Sequence, residues 1–319
     1  IMPNFNGVWS LTTQAQYASD WPKPPTFGFF ASQLSSGSNF IHKITIETAG
    51  NASDVGDLTV ERYLGAGASS STRGVFAGGF SAASSARVNT IDYITMATAG
   101  DASDFGDLVA VGNYLGGASN STRALFAGGT PNGSGATDVI QYVTIASTGD
   151  ASDFGDLLTA EYGKDAVESP TRAIFAGAYN SGSFSNVMEY VTIASTGNAQ
   201  DFGDLTVTRQ SAGGGSNSTR GLFAGGSNAG GASNIIDYIT MASTGNATDF
   251  GDLTVARFGA GGATNSTRAV FGAGVGSGYD GMDFVTIAST GNATDFGDYA
   301  TGNAFGSSMA CSNGHGGLG

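Results

Sequence analysis

Charge is scarce in this 319-residue chain: only 12% of residues are Asp, Glu, Lys or Arg, and 12 basic against 26 acidic residues leave a net charge of −14. So few Lys and Arg cannot form the basic stripe on which phosphate binding depends, which argues against nucleic acid as a partner. Cysteine occurs once, at Cys311, so no intrachain disulfide is available and no redox compartment can be read. No apolar run approaches twenty residues, and the opening Ile-Met-Pro-Asn-Phe-Asn has no basic region. The expectation is a soluble chain without membrane insertion or signal peptide. A start at Ile1 rather than Met suggests a processed product or a fragment.

What is abundant is glycine, 52 residues of it, together with Ser, Thr and Asn. That composition describes short strands joined by tight turns, with helix almost absent. Asp-(Phe/Val)-Gly-Asp recurs with its second aspartate at Asp57, Asp107, Asp156, Asp204, Asp252 and Asp298, in steps of 50, 49, 48, 48 and 46. A period near fifty falls in the range of propeller repeats. Asp-Phe-Gly also carries a magnesium-binding aspartate in protein kinases, but an active site needs one copy, not six.

Each repeat opens on a Thr-Arg-x-hydrophobic-Phe-Ala/Gly strand, with copies at 26 (Phe27 replacing Arg), 72, 122, 171, 219 and 267. A variable loop follows, then an alternating strand such as Ile236 to Met241, with Ile236, Tyr238 and Thr240 on one face and Asp237, Ile239 and Met241 on the other. Apolar residues on both faces imply packing on both sides. The Thr-Gly-Asn-Ala turn, the Asp-Phe-Gly-Asp strand and a glycine-rich segment complete four strands per repeat. The predicted fold class is all-β, a single β-propeller over 1–319 with four-stranded blades. Six is the expected blade count, and seven the alternative if the two chain ends pair as a partial extra blade. Closing strands are expected from both ends, at 5–20, where Phe5 to Leu11 looks like the Phe-Gly-Asp-Leu strand, and at 299–316, which looks like the glycine-rich strand.

Three sets of residues are candidates for pairing or binding. Arg73, Arg123, Arg172, Arg220 and Arg268 occupy one repeat slot and the six second aspartates another, so the matching counts suggest inter-blade ion pairs. An anion-binding ring of these arginines is the functional rival. The Asp-x-Gly-Asp turns read as turn chemistry, with a calcium loop as the rival. Asn-x-Ser/Thr sequons at Asn51, Asn120, Asn217, Asn246, Asn265 and Asn292 read as turn caps rather than glycosylation sites. The loops after the first strand vary between repeats and carry Phe80, Tyr179, Phe184 and Tyr279, which are either binding residues or covers for neighbouring blade edges.

The Phe-Ala-Gly-Gly doublet followed by Asp-Tyr-Ile-Thr resembles the kelch and galactose-oxidase-like β-propellers, with the usual later tryptophan replaced by Phe or Val. Galactose-oxidase chemistry would need a copper site from two His, two Tyr and a Tyr-Cys crosslink. Only His42, His315 and Cys311 are available, so neither enzyme activity nor a metal or other cofactor is expected. The wording Thr-Arg-Gly-Leu-Phe-Ala-Gly-Gly and Ile-Asp-Tyr-Ile-Thr-Met-Ala-Ser-Thr-Gly-Asn-Ala-Thr-Asp-Phe-Gly-Asp-Leu is similar to repeat proteins of marine tailed phages, especially cyanophages. That resemblance implies a structural virion protein on the particle surface, a knob, tail-fibre part or capsid decoration for docking or host attachment. Its partners would be other capsid or tail proteins. A glycan-binding adhesin using the variable-loop face on a host surface is the alternative function.

Overall fold

Strands mostly of four to six residues, separated by glycine-bearing turns, pair into six antiparallel four-stranded sheets, in sequence order in five of them. The computed structural model describes residues 24–31, 39–131, 135–276, 280–299 and 309–318. Blades 2 to 6 begin with inner strands Ala66–Ser69, Gly116–Ser119, Asp165–Glu168, Gly213–Ser216 and Gly261–Thr264. Blade 1 takes its inner strand from the other end of the chain. Met309–Ser312 pairs antiparallel with Phe27–Ala31, with Gly28 opposite Ser312 and Ala31 opposite Met309. Each inner strand touches the next around a closed ring, and the arrangement is a six-bladed β-propeller, consistent with a kelch-like one. The expected closing strand at 5–20 lies outside the described residues. The only helix among the described residues is a 3-10 turn, Gly316–Leu318.

The core is distributed over six blade interfaces, one apolar cluster at each. In Arg73–Ala77, Val75 packs toward blade 3 and Phe76 toward blade 1, which is why this strand is buried on both faces. Ile236 faces blade 6 whereas Ile239 and Met241 face blade 4, as the period-two pattern predicts. Each buried Phe or Ile contributes about 1.5–3 kcal/mol.

The Asp-Phe-Gly-Asp strand is where neighbouring blades are stapled. A register shift opposite Asp237 leaves Phe250 unpaired and turns its ring into the core. The following glycine approaches the next blade so closely that a Cβ on Gly203 would lie 2.5 Å from the Gly245 carbonyl oxygen. Its φ of 140° adds a second reason for glycine. Three hydrogen bonds then cross the interface: Gly245 N–H to Phe202 O at 2.7 Å, Ala247 N–H to Asp204 O at 2.8 Å, and Asp204 N–H to Asn246 Oδ1 at 3.1 Å. All three recur at four other interfaces, including blade 6 to blade 1 through Asp298 and Asn51, and blade 1 to blade 2 has two of them, Ala102 N–H to Asp57 O and Asp57 N–H to Asp101 Oδ1. These contacts satisfy polar groups on what would otherwise be free sheet edges.

Candidate functional site

The strand directions sort the connections into two faces. Turns joining inner to second strands and third to outer strands lie on one face, here the turn face. Variable loops and the links between blades lie on the other, the loop face.

On the turn face the motif residues are consumed by structure. Asn217 caps its turn through Oδ1, accepting from Thr219 N–H at 3.0 Å and Arg220 N–H at 2.8 Å, and Asn120 and Asn265 do the same. The arginines of the repeat slot do not meet the aspartates with which the sequence reading paired them. Among the described residues, no ion pair joins the two sets. Each guanidinium instead lies 4.6–4.9 Å from the ring centroid of Tyr93, Tyr142, Tyr190, Tyr238 or Phe284 in its own blade. It also donates to a main-chain carbonyl of the next blade: Ile145, Ile193, Met241, Ile287 and, for Arg268, Glu47. The staple between blades is there, but its acceptor is a carbonyl. The six aspartates Asp57, Asp107, Asp156, Asp204, Asp252 and Asp298 contribute backbone to the interface, as described above. In blade 1 the cation and ring exchange places, with Lys43 Nζ lying 3.6 Å over Phe27, which stands in the arginine slot.

The buried ion pairs use residues that the motif reading passed over. Arg62 meets Asp92 at 2.9 Å with both side chains fully buried, Arg209 meets Asp237 at 2.7 Å, and Arg257 meets Asp283 at 3.4 Å. In blade 4, Lys164 sits between Glu189 at 2.7 Å and Glu161 at 3.0 Å. Each acid anchors the incoming link as well: Asp237 accepts from Thr206 N–H at 3.1 Å and Thr206 Oγ1–H at 2.6 Å. In blade 3 neutral Gln141 fills the acid slot, accepting from Val109 N–H, and Gly112 stands where the links into blades 2, 5 and 6 have Arg. In blades 2, 4, 5 and 6 the buried charge in this slot faces a counter-charge, as desolvation demands.

The axis is a narrow channel with a cavity of about 100 Å³, lined by the small residues of the inner strands. Its turn-face mouth is occupied by residues 313–318. His315 Nδ1 lies 2.8 Å from Glu168 Oε1 and Nε2 lies 2.9 Å from the Ser69 carbonyl oxygen. Asp165 lines the same channel. Desolvation among the inner strands pushes its carboxyl well above the usual carboxylate range, against the opposing pull of the Ala212 amide and Arg209. Burial likewise pushes the Cys311 thiol up, so it is not a ready nucleophile. Among the described residues, no three of His, Cys, Asp and Glu are grouped to hold a metal ion.

The loop face differs in character. At its centre, N–H groups of equivalent link residues donate in succession around the axis: Gly259 to Ser211 O, Ser211 to Gly163 O, Gly163 to Tyr114 O, and Tyr114 to Leu64 O, at 2.6–3.0 Å. Around this rim, blades 2 to 4 carry half-buried aromatic rings. Phe80 meets Tyr63 edge-on at 5.6 Å. Tyr114 meets Tyr162 at 5.5 Å, Tyr162 meets Tyr179 at 5.6 Å, and Tyr179 meets Phe184 at 4.8 Å. Tyr179 and Phe184 are cross-strand partners in a hairpin, Arg172–Asn180 with Ser183–Thr192, whose strands run to nine and ten residues and reach beyond those of the other blades. Of the sequence-predicted binding residues, Phe80, Tyr179 and Phe184 thus fall on one side of the ring, and Tyr279 lies outside the described residues. Tyr63, Tyr114 and Tyr162, which join them, lie in the links rather than in the variable loops. The same sector holds the two exposed large hydrophobics among the described residues, Val109 and Leu158 at 59% and 49%, on the links into blades 3 and 4.

No protein-family model matches the chain, and no curated protein is detectably similar to it in sequence.

Proposed function

We propose that this chain is a non-enzymatic attachment module, a closed propeller displayed on a particle surface with its loop face outward for docking or host contact. The observation that carries this reading is the division of labour between the two faces. On the turn face the repeated Asn, Arg and Gly residues are engaged in caps and inter-blade staples, and the channel mouth is filled by residues 313–318. The loop face collects the segments that differ between repeats and the aromatic sector of blades 2 to 4. Rigid scaffolds commonly place binding on such loops. The phage setting comes from the repeat wording alone, which resembles virion-surface repeat proteins of marine tailed phages; a capsid or tail protein would be the mounting partner.

The test is mass spectrometry of purified particles together with electron microscopy of their surface. Ring-shaped density at sites containing this chain is the expected result. Recovery of the chain solely as a free cellular protein would overturn the reading.

A further inference from the structure

The rings of blades 2 to 4 form two runs of ring contacts on one side of the loop face, Phe80 with Tyr63, and Tyr114 through Tyr162 and Tyr179 to Phe184, edge-to-face except for the tilted Tyr114–Tyr162 pair. The runs meet at the rim, where Tyr114 N–H donates to the carbonyl of Leu64, the residue after Tyr63. Burial raises the Tyr114 phenol above its ordinary range, and the nearby Tyr162 and Tyr63 phenols push the same way. Burial and the Tyr179 phenol raise Tyr162 too, so the Tyr114 and Tyr162 hydroxyls stay protonated and able to donate. Their polar neighbours are the Asn113 amide and Thr130 hydroxyl, the Arg87 guanidinium bonded to both through Nε at 3.0 and 3.1 Å, and Asn180 at the hairpin tip.

Tyr114 also holds a φ of 59°, a left-handed conformation that is costly for a bulky side chain. Leu64, Gly163, Ser211 and Gly259 occupy the equivalent position in the other links and share this conformation, so it belongs to the succession of hydrogen bonds around the rim.

We propose that this aromatic crescent binds a chain of uncharged pyranose sugars, laid tangentially across the loop face of blades 2 to 4. The inference rests on the attachment reading and names what is attached to. Tyrosine suits the task because its ring packs against the apolar face of a sugar while its hydroxyl exchanges hydrogen bonds with sugar hydroxyls. The net charge of −14 selects against anionic polymers by repulsion at a distance.

The experiment is calorimetric titration of the full chain with dextran, mannan and galactan as neutral probes and heparin as the anionic one. In parallel, adhesion of the labelled chain to intact host bacteria is measured. Saturable binding to a neutral glycan is expected. Tyr162→Ala and Tyr179→Ala should each weaken it about tenfold, and Tyr162→Phe should retain most of it. Should Tyr162→Ala unfold, as circular dichroism would reveal, Tyr179→Ala near the hairpin tip carries the test. Neutral-glycan binding indifferent to the tyrosine variants, binding to heparin alone, or no binding to any probe would overturn the inference. If the unmodified chain adheres to bacteria without using these rings, the attachment reading stands and the sugar site falls. If it binds glycan through these rings but adheres to no cell, the sugar site stands and the attachment reading falls.

Discussion

The guanidinium of Arg220 lies 4.7 Å from the ring centroid of Tyr238 and reaches past it to the Ile287 carbonyl of the next blade, 3.0 Å away. The ring in turn stands edge-on to Phe250 at 6.0 Å, so one stack runs from the turn face into the core. Arg220→Ala removes the stacking and the hydrogen bond together, at an expected cost of about 1–3 kcal/mol. Four equivalent stacks remain, so the melting temperature should fall while glycan binding below the transition is unchanged. Unchanged melting with lost binding would instead make the arginines a site.

A larger effect is expected at Arg209, whose guanidinium is buried on Asp237 and also bonds the Gly225, Ile235 and Phe223 carbonyls. Arg209→Met strands a buried carboxylate and should cost about 3–5 kcal/mol, read from urea unfolding. Arg209→Met with Asp237→Leu removes both charges and should recover part of that loss. A double variant no more stable than the single one would show that the carbonyl contacts, not the ion pair, dominate.

Asp165 supplies a pH dependence whose sign is fixed by its raised pKa. Above the unfolded carboxyl pKa, the folded state holds a proton that the unfolded state has released. Stability contributed by this group therefore falls as pH rises toward the folded pKa. Asp165→Asn keeps an acceptor for the Ala212 amide and abolishes the titration. The melting temperature of the variant relative to the parent should rise between pH 4 and pH 7. A difference independent of pH would contradict the desolvated carboxyl.

The six-bladed ring was legible in the sequence because the residues that staple it repeat with the blades. Phe250, Gly251 and Asn246 each occupy a slot dictated by packing, close approach or capping, and each recurs. The ion pairs were harder to read. A shared period suggested joining the Thr-Arg arginines to the turn aspartates, but a guanidinium next to an aromatic ring and a free carbonyl needs no carboxylate. The informative signal was joint variation of two other slots, Arg62 with Asp92, Gly112 with Gln141, and Glu161 and Lys164 with Glu189. The aromatic crescent was only half legible. Phe80, Tyr179 and Phe184 stand in variable loops, whereas Tyr63, Tyr114 and Tyr162 stand in links whose return to the loop face depends on strand direction.

On the attachment reading the loop face, and not the turn face, makes the contact. Ser183 and Thr196 belong to the same blade, are both exposed, and lie on opposite faces, beside Phe184 and in the Thr-Gly-Asn turn respectively. Because Cys311 is buried, Ser183→Cys and Thr196→Cys each offer a single accessible thiol for biotin and a bound streptavidin. The measurement is adhesion of each blocked protein to intact host bacteria. Loss with the block at position 183 and retention with the block at 196 is the predicted result; retention at 183 with loss at 196 would contradict it.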